Sequence, residues 1–375
     1  MACGYRRRAF LSATGASLLA FASGCSTLQA NGGDTRWSVK LDGYPARASN
    51  VTDTGFVVAT TLEPDGELGF ARFSGEYEQL AELPRITAPP VLIGNRAFVE
   101  ADGIIHEISV NGDEPTELRT DYLAFGRYSA VSSESSRLYG VAYSEDIEKY
   151  ATFSLNLDTG RIEWTHPFGH VRSSADSDGD RVFAASPTGT IRAYDAADGT
   201  TLWKRKTGRN AVLTYHDDAV FVASMNGVTA LTPSDGTVRW HTESDWIGSV
   251  GTLPEANDSS VYAILSFYSN HHRSRFAMET YIVACNRNTG EERWRKRAKF
   301  GTPLSVTEQE VAIESVERVE TTQEESKLEN SLSVFGVGGA RKEQYELNER
   351  ATMKPILRDD VVIVGDDTSI VAYDR

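Results

Sequence analysis

One spaced triplet, repeated four times, constrains this chain more than any other feature. Each copy has a small residue, a glycine six positions later and a tryptophan four beyond that: Ser154, Gly160, Trp164; Ala193, Gly199, Trp203; Ala230, Gly236, Trp240; Ala284, Gly290, Trp294. Recurrence at this length marks architectures that stack one supersecondary unit against copies of itself. Two glycines close polar turns, Asp158-Thr159-Gly160 and Asn288-Thr289-Gly290, between apolar runs, which is the pattern of hairpin strands. A tight turn of this kind needs a residue at positive φ, which glycine adopts without steric cost. The tryptophan, at the end of an outermost strand, can bury ~200 Å² against the neighbouring unit and act as a wedge between sheets.

A second element recurs where the tryptophan motif fades. It is an apolar run opened by a polar turn, as in Asp180 to Ala184, Asp218 to Ala223 and Ser259 to Ala263. Its copies fall near Gly55, Asn95, Ser136, Asp180, Asp218, Ser259, Gln309 and Asp360, with spacings of 40, 41, 44, 38, 41, 50 and 51 residues. Each spacing suits one four-stranded antiparallel blade plus insertions. The expected fold is therefore all-β, an eight-bladed β-propeller, with seven blades as the alternative count. The last copy stops at Tyr373, Asp374 and Arg375 with three strands, whereas Asp34 to Trp37 reads as an outer strand without a blade. Pairing of the segment at Trp37 with the segment at Tyr373 would close the ring and leave no free sheet edge.

A length of 375 residues accommodates such a closed fold as one domain. The net charge of -15 argues against a surface that gathers nucleic-acid phosphates, so no nucleic-acid partner is expected. The basic set contains 29 Arg and 9 Lys, and this bias with the acidic surplus resembles proteins of salt-loving archaea. Residues 1–24 read as a signal peptide. Arg7 and Arg8, followed by Phe10 and Leu11, resemble the twin-arginine export signal, and the apolar stretch from Ala16 to Ala22 is too short for a spanning helix of ~20 residues. Ala22-Ser23-Gly24-Cys25 resembles a lipobox, in which Cys25 is lipidated and becomes the mature N-terminus. Residues 25–33 form a tether and 34–375 the propeller. The expected location is the outer face of the cytoplasmic membrane, with the membrane engaged through the lipid on Cys25.

The glycine, Thr-Gly and tryptophan pattern resembles the repeat of the quinoprotein, or PQQ-type, propellers. A WD-type repeat would place Asp after its tryptophan, but Trp164, Trp203, Trp240 and Trp294 are followed by Thr, Lys, His and Arg. The resemblance runs from about Trp37 to Arg375 and is specific over Ser154 to Trp294. It implies one of two functions, a dehydrogenase that holds PQQ and Ca²⁺ in the central funnel or a non-catalytic binding propeller of the BamB-like lipoprotein kind. The dehydrogenase kind implies a longer chain and a vicinal cysteine pair over the cofactor. Cys3 and Cys25 lie in the leader, so the folded body has Cys285 alone. No cofactor, catalytic or metal-ligand residue is therefore assigned.

Other candidates for chemistry have plainer readings. Asp176-Ser177-Asp178-Gly179-Asp180 hints at a calcium loop but lacks the glycine position and the closing Glu of that motif, and it coincides with the turn each blade possesses. His271 and His272 are adjacent, which on an extended segment directs them to opposite faces. The sequons at Asn50 and Asn257 are as frequent as chance allows.

Binding is expected on the face where the B-to-C and D-to-A connections emerge. Blade six carries a long B-to-C insertion, Leu265 to Thr280, with Phe267, Tyr268, His271, His272, Arg273, Arg275 and Phe276. Blade seven carries an acidic one from Val316 to Asn330, and blade three a shorter one from Tyr143 to Tyr150. Aromatic and arginine side chains dominate interface energetics, so the blade-six group is the candidate partner face. The expected function is a non-catalytic surface lipoprotein that scaffolds a protein partner. The alternatives are a PQQ-dependent dehydrogenase and a small-molecule or glycan sensor using the central funnel.

Overall fold

The second strand of blade five, Ala219–Ser224, is buried at every position and apolar through Ala223, and the reason is visible in its packing. Ala219, Phe221 and Ala223 point toward blade six, while Val220 and Val222 point toward blade four. A strand buried on both faces shows a continuous apolar run, whereas the outermost strand Thr201–Lys206 of blade four is mostly exposed and buries only Trp203. The computed structural model describes residues 33–375 apart from 62–64, 87–88, 112–114, 119–122, 125–131, 135, 145–147, 171–172, 244–246, 269–277, 302, 321–325, 348–350 and 367.

These strands form eight antiparallel sheets, each with a four-strand path in the order A-B-C-D, arranged as an eight-bladed β-propeller. Blade four is representative, with strands Ser174–Ser177, Arg181–Ala185, Thr190–Asp195 and Thr201–Lys206. The polar turns that set the blade count are the A-to-B turns. The last sheet takes its outer strand, Thr35–Lys40, from the N-terminal side of the domain: Trp37 pairs with Ala372 and Thr35 with Tyr373. Arg36 adds ion pairs to Asp360 and Asp374, at 2.6 and 2.5 Å. Eight apolar clusters lie between consecutive blades, including one joining Ile363 and Ala372 of blade eight to Phe56 and Val58 of blade one. The ring is closed by packing as well as by strand pairing.

Each repeat tryptophan docks on the turn of the following blade. Trp164, Trp203, Trp240 and Trp294 donate Nε1–H to the carbonyls of Ala196, Pro233, Arg287 and Val337 at 3.0, 2.7, 2.7 and 2.9 Å, and Trp37 does the same to Phe73 at 3.0 Å. The rings of Trp164, Trp203 and Trp240 lie on Gly199, Gly236 and Gly290, which are therefore needed for the close approach of a ring as well as for their positive φ. Gly160 has no tryptophan to receive, because blade two offers Leu118 in that place.

Blade seven substitutes an ion pair for the docked ring. Its outer-strand Glu343 stands opposite Val334, as Trp203 stands opposite Ala193. Arg375 lies three residues past Ala372, as Ala196 lies three past Ala193, and reaches Glu343 at 2.9 Å and Glu310 at 2.7 Å. The same junction is thus made by charge at the place where the ring closes.

The two long insertions are hairpins whose described residues continue the inner strands. Blade six pairs through Tyr268 with Met278, within strands Ser260–Tyr268 and Met278–Asn286, and blade seven pairs through Glu320 with Ser326, within Glu310–Glu320 and Ser326–Gly336. Cross-strand pairs extend such a hairpin with no second sheet to bury its faces.

Candidate functional site

The B-to-C turns and the D-to-A links all emerge on one face, which carries two features that sequence length or charge marks as unusual. The first is the pair of extended ribbons on blades six and seven. Strands of 11 residues in blade seven compare with 5 and 6 in the inner strands of blade four. At ~3.3 Å per residue the surplus carries the ribbon about 16 Å farther. Phe267 is half-buried at the base of the blade-six ribbon, edge-on to Tyr281 at 5.9 Å and beneath the Arg295 guanidinium at 5.0 Å. The backbone of Tyr268 continues the strand, whereas His271, His272, Arg273, Arg275 and Phe276 lie outside the described residues. Of the proposed partner residues, then, the structure locates Phe267 at the ribbon's root and the strand position of Tyr268.

The second feature is a recess of about 840 Å³ around the B-to-C turn of blade four, which sequence reading missed. Its rim comes from the D-to-A link of blade three (Phe168, Gly169, His170), that of blade four (Arg209, Asn210) and the B-to-C turn of blade five (Met225). Strand residues Arg192 and Lys204, which pair directly with each other, supply its floor. Hydrogen bonds hold the turn: Asn210 N–H donates to Pro187 O at 2.7 Å, Thr207 N–H to Gly189 O at 2.7 Å, and Lys206 Nζ to Thr188 O at 2.7 Å. Arg192 lies over the Phe168 ring at 4.5 Å. The signal that could have revealed it is the run Lys204-Arg205-Lys206 with Arg209, in a stretch with no acid between Asp198 and Asp217.

Among the described residues, the metal candidates resolve into salt-bridge networks. His216, Asp217 and Asp258 bring ligand atoms within 4.8 Å of one another on the opposite face. The Arg287 guanidinium already lies among them, 3.2 Å from Asp217, 2.9 Å from Asp218 and 3.7 Å from Asp258, which puts a cation where a metal would sit. The hydrogen bond from Arg239, with the charges of Arg239 and Arg287, holds Asp218 below the usual carboxylate range despite some burial. In the 176–180 loop, Asp178 accepts from Arg181 at 2.6 Å. Asp176 accepts from Tyr215 N at 2.7 Å and Thr214 Oγ1 at 3.1 Å, joining the innermost strands of blades four and five. Asn257 is 1% exposed and donates Nδ2–H to Thr307 O at 2.8 Å, so its sequon is closed in the folded protein.

Cys285 sits in the apolar cluster between blades five and six, and burial pushes its thiol up to about 11. A cysteine pair stacked over a quinone in the funnel cannot be built from it, and the residues present do not fit that arrangement.

A closed ring of eight blades locked by tryptophan–glycine docks defines the fold as an eight-bladed β-propeller. The family described as outer membrane protein assembly factor BamB matches residues 129–246, which span blades three to five. No curated protein matches the chain. Among solved structures, BamB from Moraxella catarrhalis is similar at 14% identity with a TM-score of 0.61, over 91% of this chain and 99% of that one. The computationally designed Ika8 protein is similar at 13% identity and 0.67, over 92% and 100%. The quinohemoprotein alcohol dehydrogenase from Comamonas testosteroni is similar at 10% identity and 0.63, over 92% and 76%. At these identities the likeness is one of fold.

Proposed function

We propose that this chain is an exported, lipid-anchored scaffold that holds a protein partner on the B-to-C and D-to-A face of its propeller and performs no chemistry. The observation that carries the reading is the asymmetry of that face. Two adjacent blades project ribbons beyond the ring, although the blades need no such length to pack. The partial match to a family described as an assembly factor supports partner binding as the use of the fold. Aromatic Phe267 and Tyr268 at the ribbon's root, with the arginines expected at its tip, are residue types that carry interface energy. Export through Arg7 and Arg8, and anchoring through Cys25, would set the propeller at the outer face of the cytoplasmic membrane.

Deletion of 270–275 is expected to leave the thermal midpoint unchanged and to abolish co-purification of partner proteins from detergent-solubilised membranes, read by mass spectrometry. Partners retained by the deletion variant would refute this face as the binding surface. Cys25→Ser is expected to move the protein from the membrane fraction to the soluble one. An absorbance scan of the purified protein for bound PQQ tests the dehydrogenase reading directly.

A further inference from the structure

We infer that the recess on blades three to five is a second contact point of the same face, built to take an acidic segment of a partner polypeptide. The inference rests on the scaffold reading and names the chemistry of its partner. In a chain of net charge -15, the recess is lined by Arg192, Lys204, Arg209 and His170 and by no carboxylate. Elsewhere the arginines on this propeller are mostly matched, as Arg96 is by Glu107 at 2.5 Å, Arg137 by Glu163 at 2.7 Å and Arg239 by Asp218 at 2.7 Å. Among the described residues, Arg192, Lys204 and Arg209 have no carboxylate within 4 Å. An acidic protein that leaves three adjacent cations without a carboxylate on the floor and rim of one recess keeps a positive field there that a complementary anion would neutralise.

Shape selects a polypeptide over a small anion. Lys204, Arg209 and His170 are exposed, and the lining is contributed by three successive blades. A small-molecule site buries ~70–90% of its ligand, which an open recess of this kind does not. An extended segment crossing the blades would set carboxylates against the cations and apolar side chains against Phe168, Pro187 and Met225. Nucleic acid is disfavoured because its remaining phosphates would face a protein of net charge -15. The rim is also preorganised: Met225 N–H donates to Arg209 O at 2.9 Å, and Tyr150 stacks on His170 at 5.9 Å, so little ordering remains for binding to impose.

The test is fluorescence anisotropy of the full chain with a labelled nonapeptide that alternates glutamate and leucine, beside its glutamine-for-glutamate counterpart. The glutamate peptide is expected to bind, with a Kd that rises with salt and rises at least tenfold in the double variant Lys204→Glu, Arg209→Glu. Both positions are exposed, so the variant keeps its fold, which its thermal midpoint verifies. Failure of the glutamate peptide to bind, equal binding of the glutamine peptide, or an unchanged Kd in the variant would overturn the inference. Displacement of the peptide by equimolar inorganic phosphate or by a DNA oligonucleotide would overturn it too, in favour of those ligands. A partner retained equally by wild type and double variant would sink the acidic-segment assignment and leave the scaffold standing. A wild-type protein that retains no partner would sink the scaffold itself.

Discussion

Gly236→Ala is the sharpest test of how the ring holds together. Gly236 has φ +68°, and a methyl group added there would meet Trp203 Cε3 at 2.6 Å and Cδ2 at 2.8 Å. The indole has no easy retreat, because its Nε1–H is bonded to Pro233 O at 2.7 Å and its other side packs toward Phe183 at 6.0 Å. The left-handed backbone alone costs an alanine ~1 kcal/mol, and overpacking a filled interior adds 1–3 kcal/mol, for an expected loss of about 3 kcal/mol. Gly94→Ala separates the two contributions, since Gly94 has φ +59° and nothing within 4 Å of an added methyl. It is expected to lose only ~1 kcal/mol. Urea unfolding followed by tryptophan fluorescence would show Gly236→Ala with a midpoint lower by about 1 M and Gly94→Ala by about 0.3 M, for a slope of ~3 kcal/mol/M. Equal losses in the two variants would refute the claim that ring docking, and not turn conformation alone, requires the glycine.

Two further outcomes follow from buried groups. Arg375→Ala removes the cation between Glu310 and Glu343 and is expected to cost ~3 kcal/mol in urea unfolding, because it leaves Glu310 with Lys342 alone and takes from Glu343 its ion-pair partner. Burial by itself would raise the Glu310 carboxyl, but the hydrogen bonds from Lys342 and Arg375 outweigh it and lower the pKa, so this stability is present above the ordinary Glu range and is lost as pH falls through the depressed value. The thiol of Cys285, raised by burial from 9.0 to about 11, contributes stability that is complete below pH 9 and disappears between pH 9 and about 11. Comparison of Cys285→Ala with wild type across that window should show the wild type losing about 2–3 kcal/mol relative to the variant, and a constant difference would contradict the assignment.

The blade count and the closure were legible in the chain because each depends on local grammar. A turn glycine, a terminal tryptophan and an apolar inner strand are each dictated within a few residues, and the unpaired outer strand at Trp37 could be matched to the missing one beside Tyr373 by counting alone. The candidate face was legible only in outline. Length marked the insertions on blades six and seven, and the structure adds that strand pairing continues into them as far as Tyr268 with Met278 and Glu320 with Ser326. The substitution of Glu343 and Arg375 for a docked indole had no signature, because its two halves lie 32 residues apart and neither resembles a repeat position.

The sequence by itself determined the repeating unit, its number and the ring that follows, since these rest on periodic burial and turn conformation that neighbouring residues enforce. Only the tertiary structure decided which charges meet. Arg287 joins acids from two blades, whereas Arg192, Lys204 and Arg209 converge from one blade and its link onto a recess that no acid enters. Charge pairing is a property of distance in space, and a closed ring brings together residues whose separation along the chain carries no trace of it.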